Sequence, residues 1–142
     1  MNGESNLSTN TSRKIWRRFF IGLLSLQAIL ELGVGATLLF NFPTALESGF
    51  GITYSNELDI LGIALGLYLL LLTTLLILSS IWTYRANHAG ITIGIIVGVF
   101  LFTFGVVTFL KFGDIQGILI DSLRGVLTII FGYLAGKELK QQ

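Results

Sequence analysis

Four long apolar runs separated by short polar breaks dominate this chain, at approximately 19–40, 60–82, 90–110 and 115–135. Each reaches the roughly 20 residues that a helix needs to cross a bilayer. The pattern predicts an all-α integral membrane protein, an antiparallel four-transmembrane-helix bundle in one membrane domain over 15–137. The stretch 1–14, rich in Asn, Ser and Thr without an apolar period, reads as a disordered cytoplasmic tail, and 138–142 as a second tail. Pro43 stops the first helix. Beyond it, 44–54 mixes Leu46, Phe50 and Ile52 with polar residues and is expected to lie along the outer interface, although its two glycines weaken any helix there.

Composition agrees with the pattern. The chain has 142 residues, 53% hydrophobic and 12% charged, with mean hydropathy +0.80. A soluble domain carries about 25% charged residues, so too few polar groups are present to coat a compact core. The absence of Cys removes disulfides, thiolate metal sites and cysteine nucleophiles together. A net charge of +1 offers no basic face for a nucleic acid.

The distribution of charge sets an orientation, because short cytoplasmic loops retain Lys and Arg. Arg13, Lys14, Arg17, Arg18, Arg85, Lys137 and Lys140 flank ends that share one side if four helices alternate; Lys111 falls opposite, and Arg124 lies within a span. Both termini are therefore expected in the cytoplasm. The 42–59 connection, with Glu47, Glu57 and Asp59 and no Lys or Arg, belongs outside. Trp16, Trp82 and Tyr84 serve as inner aromatic anchors and Tyr54 as an outer one. The first apolar run, longer than the roughly 7–15 residues of a secretory h-region and containing Glu31, is expected to be an uncleaved span.

Helix association in lipid depends on close packing and hydrogen bonds, and small residues permit it. Gly62 and Gly66 form one four-residue pair, Gly90, Gly94 and Gly98 a double one, and Gly132 and Gly136 a third. Gly117, Asp121, Gly125, Thr128 and Gly132 share a face of the fourth span, as do Gln27, Glu31 and Gly35 of the first. These faces are expected to point inward. The triple stripe Gly90, Gly94 and Gly98 also offers a surface for a homo-oligomer or a partner membrane subunit.

Charges at bilayer depth are costly, by roughly 2.5–3.5 kcal/mol on insertion scales, and usually face a bundle interior. Three stand out: Glu31, Asp121 and Arg124. Counting 1.5 Å per residue, Glu31 lies about 18 Å from the inner edge of a core about 30 Å thick, while Asp121 and Arg124 lie about 9 and 13 Å from the outer edge. Tyr68 reaches about 12 Å, and Thr103 comes within a turn of that level. The expectation is a polar cluster in the outer half of the bundle, with Arg124 between Glu31 and Asp121 because its rigid fork of donors serves two carboxylates. Asp121, closer along the chain, is the expected preferred partner. Two carboxylates against one guanidinium leave a formal charge of −1, so one acid holds a proton or a cation, water or ligand donor compensates. Glu31, with Gln27 one turn below, is the candidate for the proton.

Other chemistry is thin. His88 is solitary, the glycines lack the Lys and Ser/Thr of a nucleotide loop, and no Ser has a His and an acid arranged to activate it. Thr73, Thr74, Ser79 and Ser80 are expected to bond to carbonyls or to neighbouring helices. No metal, cofactor or catalytic residue is predicted.

The helical part, with its second span GIALGLYLLLL, resembles the small four-helix bacterial membrane proteins of the DoxX-like type, which implies a bacterial inner membrane and carries over no catalytic motif. The first span, AILELGVGATLL, is similar to the opening helix of small multidrug resistance transporters. There the embedded acid binds protons and cationic drugs, a role that this resemblance would give to Glu31. Three functions follow: a structural, accessory or lipid- or ligand-binding membrane protein; a proton-coupled small-solute transporter or channel acting as an oligomer through Glu31; and a redox or lipid-modifying enzyme subunit, which the missing metal and thiol chemistry disfavours.

Overall fold

The structure, a computed structural model, describes residues 15–45, 47, 53, 55, 59–113, 115 and 117–141. Four helices are long and apolar enough to cross a membrane. They are α1 (Ile15–Phe40), α3 (Asp59–Tyr84), α4 (His88–Phe112) and α5 (Leu123–Lys140), the last entered through a π-helical turn, Gly117–Ser122. A single helical turn, α2 (Phe42–Ala45), follows α1. Among the described residues there is no β-strand.

Two ends differ from expectation. Helix α1 begins at Ile15 rather than near Phe19, which puts Trp16, Arg17 and Arg18 on the helix. Helix α5 continues to Lys140, through residues expected to start the tail. Both extensions have one cause, a contact between the start of α1 and the end of α5 described below. Pro43 lies in α2, near the start of a helical turn, where a missing amide hydrogen is tolerated. The 1–14 tail, Tyr54 and most of 44–54 fall outside the described residues.

Each long helix packs against its neighbour in the chain, and α1 closes the ring against α5. The glycines permit this close approach. A β-carbon on Gly66 would lie 2.5 Å from Leu39 Cγ and 3.3 Å from the Gly35 carbonyl oxygen; on Gly62, it would meet the Phe42 ring. Gly94 receives Phe20 and Ser79, and Gly132 receives Ile95 and Phe20. Gly98 and Gly125 meet backbone to backbone, with a Gly125 β-carbon 2.5 Å from both the Gly98 carbonyl oxygen and the Phe102 nitrogen. The face of Gly90, Gly94 and Gly98 is thus filled within the chain by Thr83, Ser79, Phe20 and Thr128, and is not an exposed surface for a second copy.

The connection from α3 to α4 is tight. Ala86 adopts a left-handed φ of 58°, and Asn87 caps α4 by accepting the Ala89 amide at 2.9 Å. At its other end α4 stops on Gly113, whose φ of 68° suits glycine and whose amide donates to the Phe109 carbonyl.

A core of Phe20, Leu24, Ala28, Leu72, Leu76, Ile91, Val97, Leu101 and Ala135 runs through the centre. Between 28% and 33% of each apolar stretch is buried within the chain. Many other large apolar side chains, among them Ile29, Phe40, Ile60, Leu71, Phe100, Leu110 and Leu119, face outward, an apolar girdle that water would not tolerate and lipid would.

Candidate functional site

The charged residues within the spans converge. On α1, Gln27, Glu31 and Gly35 lie on the buried face, four residues apart. On α5, Gly125, Thr128 and Gly132 lie on the face turned toward them. Arg124 stands between two carboxylates: Nη2 donates to Glu31 Oε1 across the helix pair, and Nη1 donates to Asp121 Oδ1 at 3.2 Å within its own segment. Sequence proximity points to Asp121 as the preferred partner; the guanidinium engages both acids, Glu31 across the helix pair and Asp121 within its own segment. The two acids differ in burial. The Glu31 side chain is 8% exposed and that of Asp121 25%, so Glu31 has less water to solvate its charge and depends more on the guanidinium. Glu31, the acid expected to hold the proton, is thus ion-paired with Arg124 and the more enclosed of the two.

Asp121 sits in the π-helical turn and Arg124 just after it. Ser122 in the same turn donates to the Phe102 carbonyl of α4 at 3.3 Å. Single π turns interrupt the regular hydrogen-bond ladder and recur at functional positions. Tyr68 of α3, half-buried, lies within electrostatic reach of both Glu31 and Asp121. Three helices thus contribute to the cluster, as expected from depth.

Thr103 does not join it. It is exposed, because Gly98, Leu101 and Gly105 define the inward stripe of α4 and a residue two positions from Leu101 points about 200° away at 3.6 residues per turn. Depth along the axis was not enough to place Thr103, because it leaves the direction around the helix open.

One turn below, Gln27 is 1% exposed and donates through Nε2 to Thr128 Oγ1 at 2.9 Å; that hydroxyl donates to the Arg124 carbonyl at 2.8 Å. Gln27 Oε1 and Arg124 Nε, an acceptor and a donor, are both buried without a partner among the described residues. Phe20 packs into Gly132 beneath them. At the far end of the seam the Glu138 carboxylate accepts the Arg17 backbone amide at 2.8 Å. That amide belongs to the first turn of α1, where helical amides lack internal partners and the helix dipole favours an anion. Glu138 therefore caps α1 from the end of α5 and holds both extended termini together. We expect Glu138→Ala to destabilise the protein by about 1 kcal/mol, and Glu138→Gln by less, as read from unfolding in mixed detergent micelles.

Glu138 was not singled out from the sequence, although a signal was present. Gly125, Thr128, Gly132, Ala135 and Glu138 continue one inward stripe at spacings of three and four. Elsewhere the polar residues behave as expected: Thr73 and Thr74 donate to the carbonyls of Leu69 and Leu70, Ser79 to the Gly90 carbonyl of α4 at 2.6 Å, and Ser80 pairs with Ser25. His88 is exposed at the start of α4.

Compared with models of known protein families, with curated proteins and with solved structures, the chain shows no significant match in any of the three.

Proposed function

We propose that this is an accessory or lipid-binding multi-pass membrane protein in which the Glu31–Arg124–Asp121 cluster acts as a clamp fixing the register of α1 against α5. The carrying observation is that both terminal nitrogens of Arg124 are engaged by carboxylates from separate segments, with the Glu31 side chain nearly enclosed. Buried ionic groups of this kind select one arrangement of helices among many that lipid would otherwise accept.

An antiparallel up-and-down order is part of the reading. It is supported by contacts in which the end of one helix meets the start of the next and the reverse: Gly35 with Gly66 and Ser25 with Ser80, Ser79 with Gly90, and Ile91 with Gly136 and Phe102 with Ser122. Both termini then lie on one side, the cytoplasmic one, since Arg17, Arg18, Lys137 and Lys140 gather there. The DoxX-like resemblance makes that membrane a bacterial plasma membrane. A chain without Cys suits accessibility mapping. In intact cells Ser55→Cys is expected to react with a membrane-impermeant maleimide and Gln141→Cys to react only after lysis; the reverse pattern would invert the topology.

A second reading, proton-coupled transport by an oligomer through Glu31, draws on the excess carboxylate and on the quarter-exposed Asp121 side chain. Proteoliposomes under an imposed pH gradient separate the two. The clamp reading predicts equal proton flux for wild type, Glu31→Gln and protein-free vesicles. Protein-dependent flux that Glu31→Gln abolishes, together with labelling of Glu31 by a hydrophobic carbodiimide, would replace it with transport.

A further inference from the structure

Outside the clamp, the outer surface of α1 and α5 carries a groove of about 470 Å3 lined by Ile15, Arg18, Phe19, Gly22, Leu23, Leu26 and Phe131. Gly22 forms part of its wall, and a β-carbon there would meet nothing within 4 Å, so the concavity exists because a side chain is missing. Trp16 and Phe19 stack on Phe131, with ring centroids 5.9 and 6.3 Å away. Trp16 is the kind of residue that settles at headgroup level. The groove therefore begins at the membrane surface and descends along the acyl region.

Its polar rim is cationic. Arg18 is exposed and has no carboxylate partner among the described residues. Lys137 lies at the neighbouring end of α5, above the Tyr133 ring. The acid at this end, Glu138, is buried against the Arg17 amide and forms no ion pair with Arg18 or Lys137 among the described residues. An arginine at this depth lays its apolar stem along the groove and lifts its charge to the phosphate level. Basic pockets between spans on the cytoplasmic side suit anionic headgroups.

We propose that this groove is a binding site for one anionic phospholipid, an acyl chain lying over Gly22 against Phe19, Leu26 and Phe131 and the phosphate held by Arg18. A second copy of the chain fits less well, because a parallel copy would bring its own basic end to the same level. The site rests on the membrane reading above and does not depend on the role of Glu31.

The test uses the full chain with Trp82→Phe, leaving Trp16 as the sole tryptophan, in phosphatidylcholine vesicles containing increasing dibrominated phosphatidylglycerol or dibrominated phosphatidylcholine. Trp16 fluorescence is expected to be quenched by the anionic lipid at about five-fold lower mole fraction than by the zwitterionic one, the effect of one basic side chain at the surface. Arg18→Gln should bring the ratio near one, and Gly22→Leu should remove the saturable phase. Lys140→Gln should leave both unchanged. An unchanged ratio in Arg18→Gln, an equal loss in Lys140→Gln, or protection of Trp16 from both lipids by a second copy would overturn the proposal. Failure of the protein to float with vesicles would instead overturn the membrane reading.

Discussion

Arg124→Leu is expected to be the most damaging single change in the protein, lowering stability by about 3 kcal/mol. Removal of one member of a buried ion pair leaves the other charged in a low-dielectric setting, a cost of about 3–5 kcal/mol when burial is complete. The lower end applies because the Arg124 side chain retains 20% exposure and Asp121 25%. Two carboxylates lose the guanidinium at once, and both lie near Tyr68, which offers one hydroxyl in its place. Adding Glu31→Gln to Arg124→Leu should recover at least half of the loss, since the buried negative charge disappears with its partner. Unfolding by a denaturing detergent, followed by loss of helicity, provides the readout.

The second large effect is expected at Gly125. A β-carbon there would lie 2.5 Å from the Gly98 carbonyl oxygen and the Phe102 nitrogen and 2.9 Å from Phe102 Cα. These are backbone atoms, which cannot swing aside as a side chain can, so α4 and α5 must move apart. Gly125→Ala should cost about 2 kcal/mol, within the range of overpacked cores, and Gly125→Leu should prevent a monodisperse protein from being isolated. Separation at this point also displaces Arg124, one residue away. Gly22→Ala and Gly33→Ala provide the contrast: nothing lies within 4 Å of either new carbon, and the helix propensity of alanine should leave stability equal or higher.

The number of helices, their approximate bounds and the buried faces of α1 and α5 were legible in the sequence because lipid imposes a length on spans and a small or polar character on contacts. Convergence of Glu31, Tyr68, Asp121 and Arg124 followed from the helical rise, which fixes depth without reference to neighbours. Direction around an axis was less accessible. Thr103, expected at the level of the cluster, faces outward, since only the stripe of Gly98, Leu101 and Gly105 reveals which side of α4 is inward. The π-helical turn at Gly117–Ser122 was also hidden, and it departs from the 3.6-residue period on which any estimate of the Asp121 direction relies. Glu138 lay within reach of pattern reading, but its proximity to the polar tail concealed it.

Glu31 and Arg124, paired across α1 and α5, are proposed to hold the bundle together through their coupling. A double-mutant cycle measures this coupling directly, with Glu31→Gln, Arg124→Gln and the double variant unfolded in the same micelles. A coupling of about 2 kcal/mol is expected, above the roughly 0.6 kcal/mol average of interhelical hydrogen bonds in membranes. Additive losses, with a coupling near zero, would contradict it.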